Sequence, residues 1–149
     1  MTPSELAQKY NESLHPQMIK HLRIEFIEVS STKMIAKMPI DERTVQPMGL
    51  LHGGASCVLS ETLGSIGATL NATESSAEGG KVAVGIEINA NHLRSATKGW
   101  ATGVATPIKA GRSVQVWECK ITDDDNNLLC VSRLTVAIKE AKSPLPYPN

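Results

Sequence analysis

The chain has 149 residues and fits one domain, since independent domains commonly span roughly 100–200 residues. Its 15 basic and 15 acidic residues balance, so net charge provides no general attraction to nucleic acid or to an anionic membrane. No apolar run approaches the ~20 residues that span a bilayer, and the N-terminus lacks the apolar stretch of a secretory signal. Three cysteines without CxxC spacing predict neither a zinc site nor a disulfide framework. We therefore expect a cytoplasmic protein.

The N-terminal part predicts short helices followed by two strands. Residues 1–20 have helical character that Pro16 interrupts. Residues 21–29 alternate apolar and polar side chains, as a strand does, and 34–40 return as a second strand. The segment 41–49 is predicted to be a loop, because it carries proline and glycine close together.

One long helix is predicted from about residue 53 to 73. Apolar residues at i, i+4, i+7 and i+11 mark one buried face. They are Leu59, Leu63, Ile66 and Leu70. Gly64 and Gly67 lie inside this helix, where each costs ~1 kcal/mol relative to alanine at an exposed position. We therefore expect close packing of the helix against a sheet or a partner helix at these two glycines.

The remainder of the chain predicts strands only. They cover 81–93, 100–110, 113–125 and 128–140, with a hairpin turn at 123–127. Two strands, one long helix and four strands form an α+β order. This order predicts an antiparallel sheet of five to six strands wrapped around one long central helix, with the core at about 20–140. The proline-rich tail 141–149 is expected to be flexible.

The start of the long helix carries the strongest chemical signal. Gly53, Cys57, Glu61 and Ser65 are spaced by four and share the face opposite the apolar stripe. His52 precedes a glycine pair at the helix start, where free N–H groups and a partial positive charge can stabilise an oxyanion. Spacing alone leaves structural alternatives open: Glu61 as a solvated residue, His52 as a cap, and Cys57 and Ser65 as packing residues.

The spacing between Gly53 and Glu61 has a geometric consequence. Glu61 lies eight residues further on, which is roughly 12 Å along the axis at ~1.5 Å per residue. One carbonyl group cannot contact both. If both act on one substrate, they come from two chains related by a two-fold axis, which predicts an obligate homodimer with two equivalent sites. Cys57 has no histidine at i±3 or i±4, so we do not expect a thiol nucleophile.

Three separated segments resemble the hotdog-fold thioesterases: 46–55 together with 60–65, then 84–95, then 115–117. The resemblance covers about 20–140. It is closest to a subgroup that includes 4-hydroxybenzoyl-CoA thioesterases of the Arthrobacter type, 1,4-dihydroxy-2-naphthoyl-CoA thioesterases of menaquinone synthesis, and the phenylacetate-pathway and enterobactin-proofreading thioesterases. The resemblance implies a hotdog fold and hydrolysis of an acyl-CoA thioester with an aromatic acyl group. Whether the homodimer stays a dimer or forms a homotetramer, as a dimer of dimers, is left open.

The resemblance further implies residue roles. Glu61 would be the nucleophile or general base, and the Gly53 N–H of the partner protomer would polarise the thioester carbonyl. His52 and Gln46 would orient the thioester, and Ser65 would position the carboxylate or the attacking water. Contacts to CoA are implied for Gly85, His92, Leu93, Arg94, Ser95, Lys109, Gly111, Arg112 and Ser113. No metal or organic cofactor is expected, because a thiolate is a good leaving group.

Two alternative functions fit the same fold. A non-catalytic module would bind acyl-CoA or an acyl-carrier protein without releasing a thiol. An enoyl-CoA hydratase typically uses an Asp–His pair, whereas His52 has only Glu61 as a nearby acid candidate.

Overall fold

The structure, a computed structural model, describes residues 1–13, 17–77 and 80–148. The elements follow in the order α1 (Pro3–Ser13), α2 (Gln17–His21), β1 (Glu25–Val29), β2 (Met34–Pro39), α3 (Gly53–Glu74), β3 (Lys81–His92), β4 (Trp100–Ala110), β5 (Val114–Thr122) and β6 (Leu128–Glu140). All six strands form one sheet in the order β1-β2-β4-β5-β6-β3, and every neighbouring pair is antiparallel. The α+β order, the six-stranded antiparallel sheet and the single long helix of the prediction are confirmed.

Helix α3 packs on one face of the sheet through its apolar stripe. Leu59, Leu63 and Ile66 are buried, whereas Leu70 is half-buried. A Cβ atom on Gly67 would lie 2.7 Å from the ring of Trp117, and one on Gly64 would lie 2.7 Å from Leu134 Cδ2. Both glycines therefore allow the helix axis to approach the sheet closely, as the sequence predicted.

A buried chain of hydrogen bonds ties α3 to the middle of the sheet. The indole N–H of Trp117 donates to Gln115 Oε1 at 3.0 Å, and Gln115 Nε2 donates to Asn71 Oδ1 at 2.9 Å. Asn71 Nδ2 in turn donates to the Ser31 carbonyl at 3.0 Å. Gln115 is only 1% exposed, so its amide depends on these partners. These hydrogen bonds join the second half of α3 to β5 and to the turn between β1 and β2.

Strand β1 forms one edge of the sheet, and helix α1 covers it. The Asn11 side chain accepts a hydrogen bond from the Phe26 N–H at 2.7 Å and donates one to the Phe26 carbonyl at 2.8 Å. The Asn11 amide therefore bonds to β1 as a neighbouring strand would. The ring of Tyr10 packs edge-on against the Phe26 ring, with centroids 5.7 Å apart.

Strand β3 forms the opposite edge and is covered less. Its pairing register with β6 shifts between Gly85 and Glu87, which leaves Ile86 in a β-bulge. Val84 is 50% exposed and Ile86 is 60% exposed. The predicted strand is confirmed, and part of its apolar alternation lies outside the core of this chain.

The N-terminal strand is shorter than the sequence predicted. Helix α2 continues to His21, and Arg23 has a φ of 54°, in the left-handed region. The strand therefore begins only at Glu25. Leu22 and Ile24 are both buried, because the turn itself packs on the core. The apolar pattern that predicted a strand at Leu22 and Ile24 therefore arose from their burial and not from a strand. The break expected at Pro16 lies outside the described residues.

The two ends of the chain meet in the structure. The Tyr147 ring stacks on the Tyr10 ring with centroids 6.0 Å apart, and the Ala141 N–H donates to the Gly80 carbonyl at 3.1 Å. Flexibility of the tail 141–149 stays a prediction, as does the single-domain assignment. Within the described ranges, no helix is both long and apolar enough to cross a membrane.

Candidate active site

The first turn of α3 leaves one backbone donor available to a ligand. His52 is the N-cap, and its Nδ1 accepts a hydrogen bond from the Gly54 N–H at 2.8 Å. The His52 carbonyl accepts from the N–H groups of Ala55 at 3.0 Å and Ser56 at 3.2 Å. The Gly53 N–H has no partner in the described part of the chain. This free donor lies at the positive end of the helix, where an oxyanion is stabilised.

The cap interpretation of His52 is therefore confirmed, and it fixes the chemistry of the ring. Because Nδ1 accepts from the Gly54 N–H, the neutral imidazole carries its proton on Nε2. His52 is exposed, so Nε2 is accessible as a donor. One side chain can thus cap the helix and offer a hydrogen bond to a thioester.

An open depression of about 350 Å³ lies beside this helix start. It is lined by Gln46, Leu50, Leu51, Gly53, His92, Leu93, Arg94 and Ser95. Six of these residues were predicted as site residues. Sequence reasoning missed the other two, Leu50 and Leu51, although both lie inside the resembling segment 46–55. Gln46 Oε1 accepts from the Met48 N–H, so the amide nitrogen of Gln46 remains available as a donor to a ligand.

The segment that follows β3 is held firmly against this depression. A Cβ atom on Gly53 would lie 2.7 Å from His92 Nε2, so the exposed imidazole covers the space beside this glycine. The N–H groups of Leu93 and Arg94 both donate to the Leu129 carbonyl, at 2.8 and 3.3 Å. The Arg94 side chain is exposed and can move to meet a phosphate.

Glu61 lies two turns further along α3, on the exposed side of the helix. A Cβ atom on Gly85 would lie 2.7 Å from Glu61 Oε1, so the carboxylate sits directly against the β3 backbone. Ser65 is half-buried one turn later on the same face. The structure therefore places Gly85 beside the carboxylate, whereas Glu61 does not line the depression at Gly53.

Cys57 shares this face and is half-buried one turn before Glu61. Burial raises the pKa of the Cys57 thiol, and the Glu61 carboxylate raises it further. At neutral pH the residue is therefore a neutral thiol and a poor nucleophile.

The second group of predicted CoA contacts lies at the other end of the protomer. Gly111 and Arg112 line a cavity of about 360 Å³ together with Ser75 and Lys81, beyond the C-terminal end of α3. Lys109 and Ser113 belong to the same hairpin and are exposed. The 22 residues of α3 span roughly 33 Å, so one chain does not bring this group to the depression at Gly53.

No group of three or more His, Cys, Asp or Glu side chains that could hold a metal ion occurs among residues 1–13, 17–77 and 80–148. The chemistry that these residues offer is a carboxylate at Glu61 and a free amide donor at Gly53.

The sequence model of the thioesterase superfamily matches residues 48–130 of this chain. The chain belongs to the thioesterase superfamily. The match includes the helix start, Glu61 and the whole of β3. The protein is therefore a thioesterase, as the sequence predicted, and the fold is the hotdog fold.

Relatives agree with this assignment. The chain is 47% identical over 121 residues to the 1,4-dihydroxy-2-naphthoyl-CoA hydrolase of Escherichia coli, which covers 81% of this chain and 85% of the relative. The crystal structure of a thioesterase from Haemophilus influenzae is 42% identical, with a TM-score of 0.79 over 96% of this chain and 94% of that chain. A mutant thioesterase from Pseudomonas aeruginosa is 40% identical, with a TM-score of 0.80 over 89% and 92%.

Proposed function

We propose that this thioesterase hydrolyses an aromatic acyl-CoA in a homodimer, with Glu61 of one protomer and the Gly53 N–H of the other acting on the same carbonyl. The observation that carries the proposal is the Gly53 N–H. It is the one first-turn amide of α3 that has no partner in the described part of the chain.

The proposed reaction needs only these two groups and water. The Glu61 carboxylate attacks the thioester carbon, or removes a proton from a water molecule that attacks it. The carbonyl oxygen becomes an oxyanion that the amide dipole and the helix terminus stabilise. CoA thiolate then leaves, and in the first route water hydrolyses the resulting anhydride. Ser65 lies one turn from Glu61, where it would position the carboxylate or the water.

The homodimer is proposed because the two groups are about 12 Å apart along one helix. Strand β3 offers a surface for such pairing, since it is an edge strand with Val84 and Ile86 half or more exposed. Pairing of two β3 edges around a two-fold axis would extend the sheet and align the helices in opposite directions. A homotetramer of two such dimers is part of the proposal, and Ile108 at 53% exposure offers it an apolar contact.

The same dimer reconciles the two groups of CoA contacts. With α3 antiparallel to its partner's α3, the hairpin at Gly111 and Arg112 of one protomer approaches the helix start of the other. Arg112 pairs with no carboxylate in the described ranges, so its guanidinium is free to bind a phosphate. Arg94 and His92 would then contact the same CoA from the opposite side.

The aromatic acyl group is supported by the relative named as a 1,4-dihydroxy-2-naphthoyl-CoA hydrolase. A dihydroxynaphthoyl substrate would place the enzyme in menaquinone synthesis, in the cytoplasm. Kinetics with naphthoyl-, benzoyl- and hexanoyl-CoA test this point. We expect kcat/KM to be higher for both aromatic thioesters than for hexanoyl-CoA, and the reverse order would refute the aromatic preference.

Neither alternative function gains support. A hydratase would need an acid beside His52, but His52 Nδ1 is bonded to a backbone N–H of its own helix. A binding module without catalysis conflicts with membership of an enzyme superfamily.

Subunit complementation tests the shared site. Glu61→Gln removes the carboxylate, and Gln46→Ala removes a side chain from the partner half of the same site. We expect each variant alone to lose most of its activity. Heterodimers formed by refolding the two together contain one intact site, so an equimolar mixture should recover about a quarter of the wild-type rate.

The control is each variant refolded alone. Recovery equal to the average of the two single variants would show that each protomer works by itself. Wild-type hydrolysis by Glu61→Gln would refute the role of the carboxylate.

A further inference from the structure

The face of α3 that carries Glu61 continues beyond the residues that sequence reasoning selected. Ser65, Thr69 and Thr73 follow at intervals of four, so each lies about one turn further along the helix and about 40° around it from the residue before. Two of them bond to β3, the strand whose backbone lies against the carboxylate. This row connects the second half of the helix to the edge of the sheet.

Thr69 makes the connection nearest to Gly85. Its Oγ1 accepts a hydrogen bond from the Ala83 N–H at 3.0 Å, and the residue is 1% exposed. Ala83 precedes Gly85 by two residues, and an added Cβ on Gly85 would lie 2.7 Å from Glu61 Oε1. A displacement of the strand at Ala83 would therefore change the surroundings of the carboxylate.

The ladder between β3 and β6 is irregular at this point. The register shifts between Gly85 and Glu87, so Ile86 has no paired residue on β6. On its other side β3 pairs with no strand among residues 1–13, 17–77 and 80–148. The extra residue of a bulge is unpaired, so pairing with β6 holds β3 less firmly at this point. The bond from Thr69 supplies a fixed point on the helix just before the bulge.

We propose that Thr69 is a positioning residue for hydrolysis, which holds β3 at Ala83 so that Gly85 supports the Glu61 carboxylate in its reactive position. This inference rests on the proposed function of Glu61. Thr69 contacts neither the substrate nor the reacting atoms. It acts through the strand, and therefore affects the chemical step more than the binding of CoA.

Thr73 provides a matched control on the same helix face and the same strand. Its Oγ1 accepts from the Lys81 N–H at 3.2 Å and donates to the Lys81 carbonyl at 3.3 Å. Lys81 is four residues from Gly85, and its ammonium group also pairs with Glu140. Thr73 thus shares the chemistry of Thr69 but bonds to β3 away from the bulge.

The experiment compares Thr69→Val, Thr69→Ser and Thr73→Val in the full chain, with benzoyl-CoA as substrate and folding verified by circular dichroism. Valine keeps the shape of threonine but cannot accept the hydrogen bond. We expect Thr69→Val to lower kcat about tenfold with KM within about twofold, because small misplacements of a catalytic group are costly. Thr69→Ser and Thr73→Val should both keep kcat within about twofold of wild type, since the acceptor or the local contact at Ala83 remains.

Equal losses in Thr69→Val and Thr73→Val would overturn the proposal, as would a Thr69→Ser variant no better than the valine variant. The double variant Glu61→Gln/Thr69→Val separates this inference from the function on which it rests. If Thr69 acts through Glu61, adding Thr69→Val lowers the residual rate of Glu61→Gln no further. Wild-type hydrolysis by Glu61→Gln alone would refute the proposed function and this inference together. An inactive Glu61→Gln with an unaffected Thr69→Val would refute this inference alone.

Discussion

The two edge strands of the sheet share the same irregularity but differ in how the rest of the chain covers them. Strand β1 and strand β3 each contain a β-bulge occupied by an isoleucine, Ile27 in one and Ile86 in the other. At β1 the Asn11 side chain bonds both backbone groups of Phe26, and α1 packs alongside. At β3 the Thr73 and Thr69 side chains bond to Lys81 and Ala83, before the bulge. Ile86 in the bulge is 60% exposed.

This difference shows which edge can add another strand. Unpaired edges are sites of association, and proteins cover those that should not pair. The covered edge lies far from the carboxylate, and the open edge carries Gly85 beside Glu61. Leaving β3 open is consistent with the proposed dimer, in which the second protomer completes the site. The comparison therefore separates an edge that α1 covers from an edge that the proposed dimer would use.

The largest expected effect comes from placing a charge on the open edge. Ile86→Lys should prevent pairing of the two protomers, because an ammonium group would be buried at the two-fold contact. We expect a monomer in analytical ultracentrifugation and a loss of at least about 100-fold in kcat/KM. Ile27→Lys on β1 is the matched control, since Ile27 is 43% exposed in the corresponding bulge. It should leave both assembly and activity intact. A monomeric Ile86→Lys with full activity would contradict the comparison.

A smaller effect is expected on the covered edge. Asn11→Ala removes both hydrogen bonds to Phe26 and should lower the free energy of unfolding by about 1–2 kcal/mol, as two ordinary hydrogen bonds would. Urea denaturation measures this change. Gln8→Ala is a suitable control, because the Gln8 amide bonds to Glu12 of the same helix, at 2.9 Å, and to no strand residue within the described ranges. Loss of the dimer in Asn11→Ala would show that this edge also serves assembly.

The smallest effect at neutral pH concerns Tyr10, beneath the same edge. Burial raises the pKa of the Tyr10 phenol well above its ordinary value, and burial also raises the pKa of Tyr147. The unfolded chain releases these protons first, at about pH 10, so the free energy of unfolding should fall as the pH rises through that value. The slope per tyrosine approaches about 1.4 kcal/mol per pH unit.

Tyr10→Phe should make this decline shallower and cost nothing at pH 7, because the buried Tyr10 hydroxyl has no hydrogen-bond partner among the residues that the structure describes. Urea denaturation at pH 8 to 11 measures both quantities. An unchanged slope in Tyr10→Phe would show that the phenol ionises equally in the folded and unfolded chains.

The central helix and the later strands followed from the sequence because their signals are local. The apolar stripe at Leu59, Leu63 and Ile66 and the His52 cap set α3 at 53–74, against a predicted 53–73. The β5–β6 turn was also predicted from the sequence. The Asp123 N–H closes it by donating to the Asn127 carbonyl at 3.0 Å. The family resemblance named Gln46, Gly53 and residues 92–95 as site residues, and the structure places all of them around one depression.

What the sequence did not reveal depends on contacts between distant residues. The hydrogen bonds between Asn11 and Phe26 join residues 15 positions apart. An exposed asparagine in a helix does not by itself predict such bonds. The bonds from Thr69 and Thr73 to β3 were missed for a similar reason, although their spacing continues the row from Glu61. The turn at Arg23 was predicted as strand, because buried residues in a turn can alternate as strand residues do.

Trp117 is an internal optical probe of the protein. It begins the series of hydrogen bonds that continues through Gln115 and Asn71 to Ser31. Trp117 is 1% exposed and reports on the seam between the helix and the sheet, where its indole N–H is bonded. The other tryptophan, Trp100, lies half-buried with the Lys37 ammonium 4.2 Å from its ring centroid. Intrinsic fluorescence therefore has one emitter shielded from water and one that responds to ions and quenchers. Events at the core and at the surface can be followed separately in the unlabelled enzyme.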